Sequence, residues 1–129
     1  MENSDEVLEP VRRTYTFDET LTQVKEERQV IVHCSLDTPE ADMLVRIWPS
    51  TFLIDCGGGG RASLVHAENI SMAPVWTRTN GSSYRFTLIF TALPSTCVQF
   101  DLREIIPEPG GFEVKNILRN ASDVYRVEL

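Results

Sequence analysis

The sequence predicts an all-β fold, an antiparallel sandwich or barrel, and three observations carry that prediction. Tyr84, Phe86, Leu88 and Phe90 fall on one parity and Arg85, Thr87, Ile89 and Thr91 on the other, the period of a strand buried on one face. Further short alternating runs recur along the chain between clusters of Gly, Pro, Asn and Asp. No long helical period separates those runs, and neither an internal repeat nor a long linker divides the chain.

Taken in order, residues 1–13 are charged and aperiodic and read as a flexible lead-in to one domain over residues 14–129. Thr14, Tyr15, Thr16 and Phe17 alternate as a short strand. Residues 20–24 suit a strand, with a helix capped by Asp18 as the alternative. Lys25, Glu26, Glu27 and Arg28 form a solvated turn. Val30, Val32, Cys34 and Leu36 share the buried face of the next strand, opposite Ile31, His33 and Ser35. Met43, Val45 and Ile47 then alternate with Leu44, Arg46 and Trp48. In the strand over residues 51–56 the inward parity is Phe52, Ile54 and Cys56.

Gly57 to Gly60 make a mobile hairpin leading into residues 62–67, whose faces the pattern does not assign. Asn80 and Gly81 supply the positive-φ positions of a tight hairpin before the long central strand, which Pro94 ends. Val98, Phe100 and Leu102 point inward in the following strand. Pro107 to Gly111 are a breaker-rich loop, Phe112 to Lys115 a strand, Ile117 to Asn120 one helical turn and Val124 to Val127 a closing strand.

Composition narrows the function classes. At 129 residues the chain can bury a core without staples, and a net charge of −7 argues against nucleic acid and anionic membrane, both of which bind through Lys and Arg. No apolar run approaches the roughly 20 residues that span a bilayer. The acidic N-terminus lacks the pattern of a secretory signal, so the sequence as it stands reads as cytoplasmic, or as secreted or periplasmic if a leader was removed. Cys34, Cys56 and Cys97 are odd in number and widely spaced, and do not make a disulfide framework. Cys34 and Cys56 fall on apparent core faces as buried thiols or as a disulfide, which spacing alone does not decide.

Over the last third of the chain, Leu93, Pro94, Cys97, Phe100, Asp101, Leu102 and Glu104, then Gly111, Phe112, Asn116, Ile117, Arg119, Asn120, Asp123, Val124 and Tyr125, make up a signature. It resembles the C-terminal part of small β-sandwich modules of uncharacterised bacterial proteins; Ile47, Trp48, Pro49, Thr51 and Phe52 fit as well. The resemblance implies an immunoglobulin-like, antiparallel two-sheet sandwich of about seven to nine short strands, and it carries no catalytic residues. The tryptophan-plus-disulfide core of antibody domains is not evident.

Catalytic and metal signatures are weak. His33, Cys34, Cys56, His66 and Cys97 have ligand chemistry but no close pair such as C-x₂-C, and adjacent His33 and Cys34 project to opposite faces. No nucleophile elbow frames a serine or cysteine, the glycine run lacks the Lys-Ser/Thr of a phosphate loop, and no calcium loop occurs. Asp101 with Glu104, and Glu108 with Glu113, read as solvated surface. No cofactor or metal is expected, and no enzyme activity.

Two residue sets stand out instead. Trp48 and Trp76, with Arg46 on the parity of Trp48, are candidates for a ligand-binding platform. Arg119, Asn120, Asp123 and Tyr125 are candidates for a structural latch, Arg119 pairing with Asp123 and Asn120 satisfying backbone groups. The reading is a non-catalytic binding or structural module that meets a protein partner along a sheet edge. The alternative is a carbohydrate-binding module using an exposed tryptophan, and a small enzyme or metal-binding domain comes last.

Overall fold

The structure, a computed structural model, describes residues 28–129, and every regular element in them is a strand. The strands predicted at 14–17 and 20–24, and the lead-in, lie outside the described residues. The nine strands are β1 (Val30–Asp37), β2 (Ala41–Val45), β3 (Thr51–Asp55), β4 (Arg61–Glu68), β5 (Thr77–Asn80), β6 (Ser83–Phe90), β7 (Gln99–Glu104), β8 (Glu113–Leu118) and β9 (Val124–Glu128). Seven form one sheet in the order β8-β7-β3-β4-β6-β1-β9, while β2 and β5 make a separate ribbon. Among the described residues no helix is long and apolar enough to cross a membrane.

That sheet cannot be flat. Six strand spacings would put β8 and β9 roughly 29 Å apart, yet only residues 119–123 join Leu118 to Val124, a span of roughly 22 Å when fully extended. The bend lies in β4. Its first residues pair with β3 (Phe52↔Ser63, Leu53↔Ala62), and beyond Ser63 it pairs with β6, with a register shift between Leu64 and His66. The sheet curls almost to a barrel, and Phe100 of β7 meets Tyr125 of β9 edge-on at 5.0 Å.

Alternation fills this interior as the sequence predicts for β6, where Phe86, Leu88 and Phe90 are buried, and for β1, where Val30, Val32 and Cys34 are. Leu53, Phe100, Leu102, Tyr125 and Val127 join them from the other strands. Burial of such a set is the main force holding the fold.

Several expectations are corrected. The sheet is not wholly antiparallel: β9 runs parallel to β1, because the short link after β8 delivers the chain to the opposite end of the sheet. In β3 the inward parity is Thr51, Leu53 and Asp55 rather than Phe52, Ile54 and Cys56. Inward Thr51 and Asp55 are tolerated because each is hydrogen-bonded: Thr51 Oγ1 donates to the Trp48 carbonyl, and Asp55 accepts from the Gly57 and Gly59 amides. Cys56 is therefore exposed, all three cysteines are free, and the Cys34–Cys56 disulfide does not exist.

Asn80 and Gly81 turn the chain but make no hairpin, since β5 pairs with β2 and β6 with β1 and β4. Gly81, at φ 79°, takes the left-handed conformation there. Val98 precedes β7 and is 73 % exposed, its inward place taken by Cys97. Residues 117–118 continue β8 rather than forming a helical turn, because Ile117 pairs with Phe100 and Leu118 with Gln99.

Candidate functional site

The β2–β5 ribbon places the first candidate set. Leu44 pairs with Arg78 and Val45 with Thr77, after which the chain leaves β2 and Ile47 bridges to Met72. Ile47 N–H donates to the Ser71 carbonyl, and the Ile47 carbonyl accepts from Ala73 N–H. These bonds lay the segment before Trp48 beside the segment before Trp76. Arg46 sits between them, its guanidinium carbon 3.9 Å from the centre of the Trp76 ring and 5.4 Å from that of Trp48. Its Nη1 donates to the Pro74 carbonyl at 3.2 Å. Attraction between a guanidinium and indole faces holds such a stack even when wet.

Trp76 is 51 % exposed, Val75 beside it is more so, and Leu44 is half exposed. Next to the stack lies an open groove of about 470 Å³ lined by Arg46, Trp48, Pro49, Ser50, Ala73 and Pro74.

Trp48 is anchored from the sheet, through a residue the sequence reading placed at the surface. Glu104 shares the inward parity of Phe100 and Leu102 and is buried. One carboxylate oxygen accepts from Trp48 N–H at 2.9 Å and the other from Phe112 N–H at 3.1 Å. The period-two pattern of β7, continued by one pair, would have placed Glu104 inside. Asp101 accepts from Asn116 N–H at 2.8 Å, where β8 bulges. Glu113 lies 4.0 Å from the Lys115 ammonium at the surface.

The second set also converges. Arg119 Nε and Nη2 donate to the two Asp123 oxygens at 2.8 and 3.1 Å, and Nη1 reaches the Pro94 and Cys97 carbonyls. Tyr125 O–H donates to Asp123 at 3.0 Å and accepts from Asn120 N–H. Asn120 Oδ1 takes the Ser122 and Asp123 amides. Asp123 is 2 % exposed, and the guanidinium of Arg119, followed by the tyrosine hydroxyl, holds its carboxyl below the usual range against the opposing effect of burial.

The histidines and thiols are scattered. His33 Nδ1 shares a 2.9 Å hydrogen bond with Thr87, and His66 lies 3.5 Å from Glu68 on the exposed side of β4. Among the described residues no three His, Cys, Asp or Glu side chains gather to hold a metal. Burial pushes the Cys34 thiol up to about 12 and, with Asp55 beside it, raises that of Cys97. Desolvation and the Asp101 carboxylate, 3.4 Å away, raise that of Cys56. All three are thiols, not thiolates, at neutral pH.

Comparison of the chain with protein-family models, with curated proteins and with solved structures finds no match.

Proposed function

We propose that this protein is a non-catalytic binding module that contacts a protein partner through the corner formed by Arg46, Trp48 and Trp76. The observation that carries the reading is the stack itself: an arginine held against two indoles, one of them half exposed, beside an open groove. Trp and Arg dominate the energetics of protein interfaces, and an arginine already stacked loses less freedom on binding. An added strand is a poorer route along β8, because the bulge at Asn116 interrupts the ladder at that edge.

An immunoglobulin-like sandwich is the finer reading of the fold that accompanies this. It is supported by the switch of β4 between partners and by the Tyr125 hydroxyl bonding the backbone at Asn120, as a tyrosine corner does. A carbohydrate-binding module is the second reading. The half-exposed Trp76 ring favours it, since sugars stack on flat indoles.

Acrylamide quenching of Trp48→Phe and Trp76→Phe proteins tests the corner. Trp76 is expected to be quenched freely in the folded protein and Trp48 less so; a fully shielded Trp76 removes both readings. Titration with soluble polysaccharides and with peptide libraries then separates them. A saturable polysaccharide response lost in Trp76→Ala favours the sugar reading, and a peptide response lost in Arg46→Gln favours the protein partner.

A further inference from the structure

A second cleft, of about 500 Å³, opens between the glycine loop that joins β3 to β4 and the segment Ala92 to Ser95. Three of the chain's twelve basic side chains, Arg28, Arg61 and Arg119, line it, with Asp123 as the one carboxylate among the described residues. We propose that this cleft binds a single dianionic phosphate or sulfate group.

Charge and unused donors carry the argument. Arg119 closes on Asp123 through two nitrogens, so the carboxylate is already neutralised when Arg28 approaches it at 3.2 Å. Arg28 therefore brings a positive charge that Asp123 does not balance. Both of its hydrogen bonds within the described residues, to Asp123 and to the Ala121 carbonyl, leave from Nη2. Arg61 forms neither an ion pair nor a side-chain hydrogen bond among the described residues; its guanidinium carbon lies over the Phe52 ring, 3.9 Å from the ring centre. That contact seats the guanidinium without using any of its N–H groups, so an oxyanion can take them as arginine takes phosphate.

Among the described residues, three guanidiniums against one carboxylate leave two positive charges, which a dianion balances and a monocarboxylate does not. On a chain of net charge −7 such a site is a local island. A polyanion running beyond the cleft would be repelled, so the ligand carries one such group rather than a string of them. Gly60 at the cleft wall leaves room, since a Cβ there would meet only the ring of Pro94, at 3.9 Å, whereas one at Gly59 would run into the Asp55 carboxylate.

Calorimetry and thermal melting of the full chain at about pH 7.5, where phosphate is largely dianionic, test this with inorganic phosphate, sulfate and acetate at matched ionic strength. Phosphate and sulfate are expected to bind saturably and raise the melting temperature, and acetate to do neither. Arg61→Gln, which breaks no side-chain hydrogen bond or ion pair among the described residues and loses only the contact with the Phe52 ring, should weaken binding by about ten-fold and change the ligand-free melt little. Arg28→Gln should weaken binding similarly, and Arg126→Gln on β9 should not. Equal effects of acetate, no saturable binding, or undiminished binding by Arg61→Gln overturns the proposal. A sugar phosphate and the matching sugar sulfate identify the source. Tighter binding than the inorganic ion assigns the site to an organic ligand, and equal binding assigns it to the free ion.

Discussion

Two corners of the molecule are each built around an arginine, and the two arginines are held in different ways. Arg119 is 18 % exposed and has nearly all its N–H groups on protein acceptors, a carboxylate and two carbonyls. Arg46 makes one such bond among the described residues and is held otherwise by ring faces. An arginine whose donors are saturated by buried acceptors ties chain segments together and offers little to a ligand. One held by stacking keeps its edges for a partner. The first arrangement stabilises the closure of the sheet, and the second stabilises only itself.

The largest test of that contrast is Asp123→Ala, which strands Arg119 and the Tyr125 hydroxyl and should lower stability by about 3 kcal/mol, read as the urea midpoint. Acid should act on the same group. The folded carboxyl of Asp123 lies below its unfolded value, so its contribution is present above the unfolded value near pH 4 and is lost as pH falls through the folded one. Urea midpoints measured down the acid range should fall more steeply for the wild type than for Asp123→Asn. Parallel curves would show that the latch carries no such linkage.

A smaller effect is expected where the two kinds of region meet. Glu104→Gln turns one of two buried acceptors into a donor facing an N–H, of Trp48 or of Phe112, at a cost of about 1–3 kcal/mol. In the Trp76→Phe background the same change should shift Trp48 emission to the red. Loss of stability without that shift would place the damage at Phe112 and leave the corner independent of the sheet. Smallest of all, Trp76→Ala should alter stability by no more than about 0.5 kcal/mol, since half of the ring is in water. A loss comparable to that of Asp123→Ala would erase the distinction and make the corner structural.

The two candidate sets differed in how they could be read. The Arg119 to Tyr125 set was legible because its members lie within seven positions, so spacing nearly dictates who meets whom. Arg46, Trp48 and Trp76 could be named by type, but their meeting depended on β5, a four-residue strand with no apolar alternation whose partner β2 is more than thirty positions away. Strand faces failed where burial is not one-sided. β3 lies between β4 and β7 and buries the parity of Thr51, Leu53 and Asp55, which is the more polar one, while Phe52 and Ile54 are half-buried on the other, so parity alone chose the wrong face. β4 resisted assignment because the register shift between Leu64 and His66 resets its parity halfway along.

By itself the sequence determined the class of the fold and the inward faces of β1 and β6, because an uninterrupted period of two under hydrophobic burial leaves a strand one stable orientation. Only the tertiary structure decided that the sheet curls until its first and last strands nearly meet, that β9 runs parallel to β1, and that Glu104 and Asp55 point inward. Each depends on which distant backbone supplies a partner. A buried carboxylate is stable only where two amides from another segment converge on it, and a short link closes a sheet only when its strands have already bent, which no local pattern encodes.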